Sequence, residues 1–169
     1  MIGTVFDWII RRFAGIRTGR GATGAVYVSE VEVDTWLGHV RVTRMHAGLA
    51  VGRPQAPVLA RSQVEGSIIQ GIGYALYEGR QLDAATGAVL TTGLEDYRIP
   101  GIADTPEMDI HFDEAGFDHV AGGGVGIGEI ATLPAAAAVA NAVCNATGDR
   151  AYELPIRPDR LLLDARRIA

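Results

Sequence analysis

Between Val58 and Glu78 the chain reads as one long helix, and that helix carries small residues at every fourth position: Ser67, Gly71, Ala75 and Gly79. A glycine in a helix interior costs about 1 kcal/mol relative to alanine, and Gly66, Gly71 and Gly73 all fall inside the segment. Such a helix persists only where close packing offsets that loss. A stripe of small side chains lets another backbone or a ligand come unusually near, so the fold must place something directly against this face.

The elements around the helix are short. A glycine-rich turn, Thr18 to Gly24, precedes two segments of alternating valines, Val26 to Val33 and Val40 to Val42. Asp34-Thr35-Trp36-Leu37-Gly38 supplies turn chemistry between them, which predicts a hairpin. Gly52 to Pro57 is a breaker segment. Beyond the helix come a polar loop with short strands from Gln81 to Thr92, a loop bounded by Pro100 and Pro106, and a strand over Met108 to Phe112. A second glycine-rich loop, Ala121 to Gly128, leads to an alanine-rich helix predicted over Thr132 to Thr147. Thr132 is its expected N-cap, Pro134 sits at its start and Gly148 at its stop. A last helix is expected from Pro158 to Arg167, with Arg166 and Arg167 at its C-terminal end. The spacing of Val5, Ile9 and Phe13 predicts a short helix over residues 4–13. Strands mixed with helices, without a βαβ rhythm, indicate an α+β fold with a mixed or antiparallel sheet and packed helices. The 169 residues suit a single domain, 1–169.

Several function classes drop out. The net charge is -5 and no basic stripe exists, so no nucleic-acid partner is expected. A single cysteine, Cys144, excludes an internal disulfide and any cysteine cluster for zinc or iron–sulfur; in its alanine-rich run it reads as a small buried hydrophobe. No apolar run approaches the roughly 20 residues of a membrane span. Met1 to Arg12 carries Asp7 and Trp8 and does not read as a signal peptide. A cytoplasmic protein is expected, or a periplasmic one if a partner carries it out. Gly19, Gly21 and Gly24 fit a dinucleotide fingerprint, yet a strand follows them where a helix is required. Gly126, Gly128 and Ala131 fit its loose form and do precede a helix, but no strand leads into them. His39, His46, His111 and His119 lack metal-ligand spacing and read as strand or loop histidines with hydrogen-bond partners. No serine lies in a nucleophile elbow.

Glu129 is the most suggestive residue. It follows Gly124-Val125-Gly126-Ile127-Gly128 and sits just before a helix. Glycines let backbone approach a ligand, and helix N-terminal N–H groups favour anions. A carboxylate there suits a general base, and it equally suits simple complementation of the helix dipole. Residue spacing leaves both open.

Three segments resemble, in the same order and at similar spacings, the last part of the large subunits of molybdenum hydroxylases, the xanthine dehydrogenase and aldehyde oxidase family. They are Gln63-x-Glu65-Gly66-x-x-x-Gln70-Gly71-x-Gly73, then Asp96-Tyr97-Arg98-Ile99-Pro100, then Gly126-Ile127-Gly128-Glu129 running into the alanine-rich helix. The last looks closest to the bacterial aldehyde oxidoreductases, and the resemblance covers about residues 20–165. It implies the second half of a molybdenum-cofactor-binding region, the C-terminal part of the molybdopterin-binding domain, with residues 1–20 as the remnant of an element begun upstream. Glu129 would be the base beside the molybdenum. Gln63 would hydrogen-bond the pterin, and Gly124, Val125, Gly126, Ile127 and Gly128 would approach the cofactor. The metal would be held by the pterin dithiolene and by no protein ligand. The implied cofactor is molybdenum–molybdopterin, in a bacterial relative the cytosine dinucleotide form.

The implied partners are the upstream half of the subunit as a separate chain, together with subunits carrying 2Fe-2S iron–sulfur clusters and FAD. The implied reaction is hydroxylation of a small aldehyde, purine or N-heterocycle with water as the oxygen source. Departures from the family pattern are Val125 where a lysine is common, Ala50 and Ala56 for the usual Asp and Asn, and Ile130-Ala131 after the glutamate. The family's G-G-F-G-G loop and active-site arginine lie upstream of the part represented here. A silent remnant or structural and assembly module of the same fold is the alternative. An unrelated binding domain using the two glycine loops is the third reading, and it predicts nucleotide binding without a partner.

Overall fold

The computed structural model describes residues 23–165. The helix expected at residues 4–13 lies outside them, as do Arg166 and Arg167. Strands β1 (Gly24–Asp34) and β2 (His39–Ala50) form the antiparallel hairpin. Its turn closes as the sequence implies. Asp34 Oδ1 accepts the N–H groups of Trp36 at 2.8 Å and Leu37 at 3.0 Å. Gly38 adopts φ +67, and a Cβ there would overlap the Pro158 carbonyl. The strands run further than the valine pattern. Beyond Val42 the alternation is carried by Met45, Ala47 and Leu49, all buried, against Arg44 and His46.

β3 (Glu107–Asp113) pairs parallel to β2, giving a mixed three-stranded sheet in the order β1-β2-β3. The chain between the parallel strands passes through helix α1 (Pro57–Leu76). One βαβ-type crossover therefore exists where none was expected, hidden by the long connection from Tyr77 to Pro106. Of the short strands expected at 81–92, only an isolated bridge between Leu82 and Val89 forms.

α1 ends two residues before the expected Glu78, so Gly79 lies beyond it. Helix α2 (Gly128–Thr147) begins four residues earlier than expected. Thr132 is therefore no N-cap; its hydroxyl lies 3.4 Å from the Gly128 carbonyl inside the first turns. Pro134 is internal, and its missing N–H leaves the carbonyl of Ile130 without the usual helical partner. Gly148 at φ +83 ends the helix as expected. Cys144 on this helix is half-buried rather than buried. The last helix, α3, spans Pro158–Ala165 within the described residues.

The small-residue stripe answers to α2. Gly71 packs so tightly on it that a Cβ at Gly71 would overlap the Cβ of Ala135. Val64, Ile68, Ile72 and Ala75 of α1 join Ala131, Ala135, Val139 and Val143 of α2, and β2 supplies Met45, Ala47 and Leu49 beneath them. Tyr27 of β1 donates its hydroxyl to the Ala131 carbonyl at 2.8 Å. Against the expectation from the sequence, α2 is long and apolar enough to cross a membrane; its buried face nonetheless packs on α1 and β1 as part of the core. On the sheet's other face His46 Nδ1 lies 3.2 Å from Asp109 and Nε2 3.5 Å from Glu30.

Two tyrosines make the fold sensitive to alkali. Burial pushes the Tyr27 hydroxyl far above the ordinary tyrosine value. Burial, aided by a hydrogen bond to Asp104, pushes Tyr77 up to about 12. Both groups stay neutral in the folded chain after the unfolded chain has begun to ionise near pH 10. The Tyr77 contribution is complete below pH 10 and is lost as pH rises through about 12, while that of Tyr27 persists to higher pH. The melting temperature is expected to fall across that interval, and less steeply in Tyr77→Phe. Superimposable pH profiles for the two proteins would remove Tyr77 from this role.

Candidate functional site

The end of β2 nearest Gly24 runs into Val51-Gly52-Arg53, and this segment pairs with the second glycine loop. The Arg53 N–H donates to Gly123 O at 2.8 Å and the Val125 N–H to Val51 O at 2.9 Å, around an antiparallel bridge between Gly52 and Gly124. Both glycines are required by contact. A Cβ on Gly52, at φ +72, would overlap the Gly123 carbonyl and crowd the buried Phe117 ring. A Cβ on Gly124 would overlap the Arg53 carbonyl. The Gln55 side chain adds a clamp, donating to Gly122 O at 2.6 Å. On the other side, the N–H groups of Val51 and Gly52 reach Asp113 O at the end of β3, at 3.3 and 3.1 Å.

An open groove of about 500 Å³ results between this paired backbone and the first turns of α1. Gln63, Gly124, Val125, Gly126, Ile127 and Gly128 line it, so the structure brings six of the seven sequence-predicted site residues together. The Gln63 side chain is exposed, and among the described residues its amide has no hydrogen-bond partner. Gly126 and Gly128 differ from Gly124. Neither has a positive φ, and a Cβ on either would meet nothing within 4 Å. Nothing in the chain's own packing calls for glycine at those two positions.

Glu129 does not line the groove, but it directly follows Gly128, which does. The sequence placed it before the helix; the structure places it in the first turn of α2. Ile127, the residue ahead of α2, offers no side-chain cap, and the first backbone bond of that end runs from Ala131 N–H to Ile127 O. The N–H groups of Gly128, Glu129 and Ile130 thus precede the helical bonding, and Glu129 brings its carboxylate to that first turn. It is exposed and, among the described residues, unpaired.

Sequence reasoning missed Arg53, Pro54, Gln55 and Leu59, which also line the groove. In the sequence the segment from Gly52 to Pro57 reads only as a breaker. A polar Arg and Gln flanking a proline just past a strand end was the available signal. The Asp96-Tyr97-Arg98-Ile99-Pro100 motif lies elsewhere. Tyr97 donates its hydroxyl to Glu78 at 2.7 Å, an interaction that raises its pKa, and Arg98 stacks over the Tyr77 ring at 4.8 Å. Both anchor the segment that leaves α1.

The profile of the molybdopterin cofactor-binding domain family matches residues 17–106, more than half of the chain. The chain belongs to this family. Gln63 falls within the matched residues, while the Gly124–Glu129 segment lies after them. The chain is 39% identical over 142 residues to the aldehyde oxidoreductase molybdenum-binding subunit PaoC of Escherichia coli K12, covering 83% of this chain and 19% of that subunit. It is 37% identical over 144 residues to the xanthine dehydrogenase molybdenum-binding subunit of Escherichia coli O157:H7, covering 85% and 19%. Quinoline 2-oxidoreductase from Pseudomonas putida 86 superposes with a TM-score of 0.74 at 34% identity, over 80% of this chain and 18% of that one. The chain therefore spans about a fifth of the length of the relatives it matches. The α+β expectation holds, and so does the resemblance to molybdenum hydroxylase large subunits.

Proposed function

We propose that this chain forms one wall of a molybdenum hydroxylase active site, in an enzyme that oxidises aldehydes or N-heterocycles and whose site is completed by the upstream half of the family's large subunit. The observation that carries this reading is the groove itself: an unpartnered amide, Gln63, faces a loop whose Gly126 and Gly128 are left bare by the chain's own packing. A ligand lying close against that backbone accounts for both glycines. The donor set suits molybdopterin. An amide offers two donors and one acceptor to the edge of a pterin, and Arg53 offers a guanidinium to the phosphates of a dinucleotide form such as the cytosine one. When bound, the cofactor would supply the redox chemistry.

The chain's own residues would bind, orient and move one proton. Gln63 holds the pterin end. The loop from Gly124 to Gly128 fixes the distance of closest approach. Glu129 accepts the proton released from the attacking water-derived oxygen as substrate is hydroxylated. Electrons would leave through partner subunits bearing 2Fe-2S clusters and FAD. Gln63→Ala in the assembled complex is expected to weaken cofactor retention about three- to tenfold, the worth of one hydrogen bond. Molybdenum per complex after gel filtration measures it, and unchanged loading would argue against the pterin contact. The reading as a whole is tested by native purification with metal analysis. Molybdenum near one atom per complex supports it. A metal-free monomer from cells making active molybdenum enzymes would leave the silent-module reading.

A further inference from the structure

At the hairpin end of the molecule, away from the groove, a second cavity of about 490 Å³ lies between the β1–β2 turn, the C-terminal end of α1 and the start of α3. The apolar surface it leaves open belongs to the half-buried Val40, Leu76 and Tyr77, with Val42, Ile72 and Ile156 almost wholly buried behind them. Its wall is the Tyr77 ring, fixed by the hydrogen bond from its hydroxyl to Asp104 Oδ1 at 2.9 Å. At its closed end Gly38 lies so near the Pro158 backbone that a Cβ there would overlap it.

The charged groups on the rim are unequally committed. Asp34 is held by the turn N–H groups of Trp36 and Leu37, and Asp104 by Tyr77 and the Gly101 N–H. Arg98 lies over the Tyr77 ring and, among the described residues, gives no hydrogen bond to any protein acceptor. A guanidinium held on an aromatic face keeps its N–H fork in one place, and that fork matches a carboxylate. Arg41 also lines the cavity without an ion pair, beside its strand neighbour Glu32.

We infer that this cavity binds a small organic carboxylate with a branched or short apolar body, the body on Val40 and Leu76 and the carboxylate on Arg98. The site is independent of the molybdenum cofactor and stands or falls apart from it. Only two cationic side chains face three carboxylates around the rim, so the affinity is modest, with Kd about 1 mM.

The test uses the full chain with labelled valine and leucine methyl groups and 4-methylpentanoate as the probe. Saturable shifts at Val40 and Leu76, leaving Val125 of the other groove unmoved, are the expected result. 4-Methylpentan-1-ol, of the same shape without the charge, is expected to bind at least about tenfold more weakly to the unaltered protein, and Arg98→Gln to weaken the acid by a similar factor. Equal binding of acid and alcohol, full affinity in the Arg98→Gln protein, or no saturation by about 20 mM would each overturn the inference.

Discussion

Replacing Glu129 by glutamine is expected to cost the assembled enzyme about two to four orders of magnitude in turnover while its molybdenum content stays near normal. The reason lies in where the side chain stands. Glu129 has no partner among the described residues, so the fold does not depend on its charge. It occupies the first turn of α2, where a neutral amide fits as well as a carboxylate. Glutamine keeps the length and the hydrogen-bonding outline and removes only the ability to accept a proton. A residue that merely complemented the helix dipole would give a different result: a loss of about 0.3 to 1 kcal/mol in stability and little change in rate. Turnover and molybdenum content, measured on the same preparation, separate the two. Activity within a few-fold of the parent would take the base role away from Glu129.

The second large effect is structural. Gly71→Val is expected to destabilise the chain by about 3 kcal/mol, the upper part of the range for overpacking, and to lower its melting temperature by roughly 6 to 12 °C. Valine would drive branched carbons into Ala135 at a point where even a single Cβ overlaps. The helix-propensity gain over glycine, a few tenths of a kcal/mol, is too small to compensate. A paired exchange sharpens the test. Gly71→Ala alone is expected to destabilise, although alanine is the better helix former, and Ala135→Gly added to it is expected to recover most of the loss. If Gly71→Ala raised the melting temperature, α1 and α2 would not be in the contact described here.

The same contact shows how much of the fold was legible. The every-fourth-residue pattern of small side chains announced a close neighbour for α1, because glycine in a helix demands a packing reason. It could not say which neighbour. Ala135 belongs to a run, Pro134 to Ala138, whose composition suits any face of any helix. The start of α2 was misread because Pro134 and Thr132 make a good N-terminus locally; tertiary packing of Ala131 on Tyr27 extends the helix through them. The candidate site could be read in the sequence as a set of residues but not as one groove. Gln63 and the Gly124–Gly128 loop lie some sixty residues apart, and only the pairing of Gly52 with Gly124 brings them to one groove. The signal for that pairing is two glycines whose roles become visible only when a Cβ is imagined on each. Arg53 and Gln55 went unread because a segment that breaks structure was not also treated as one that builds a site.

The backbone ladder between Val51–Arg53 and Gly123–Val125 has a consequence for assembly. Glycine-rich loops usually surrender conformational entropy when they close on a ligand. Here that entropy is already lost, because the loop is stitched to the end of the central strand and moves only if the strand end frays. The amides of Val125 and Arg53 should accordingly exchange with solvent on the timescale of β2 rather than of a loose turn. A wall set before any ligand arrives is pre-organised. Binding energy can then go into discrimination instead of ordering, and the chain can be folded first and loaded later.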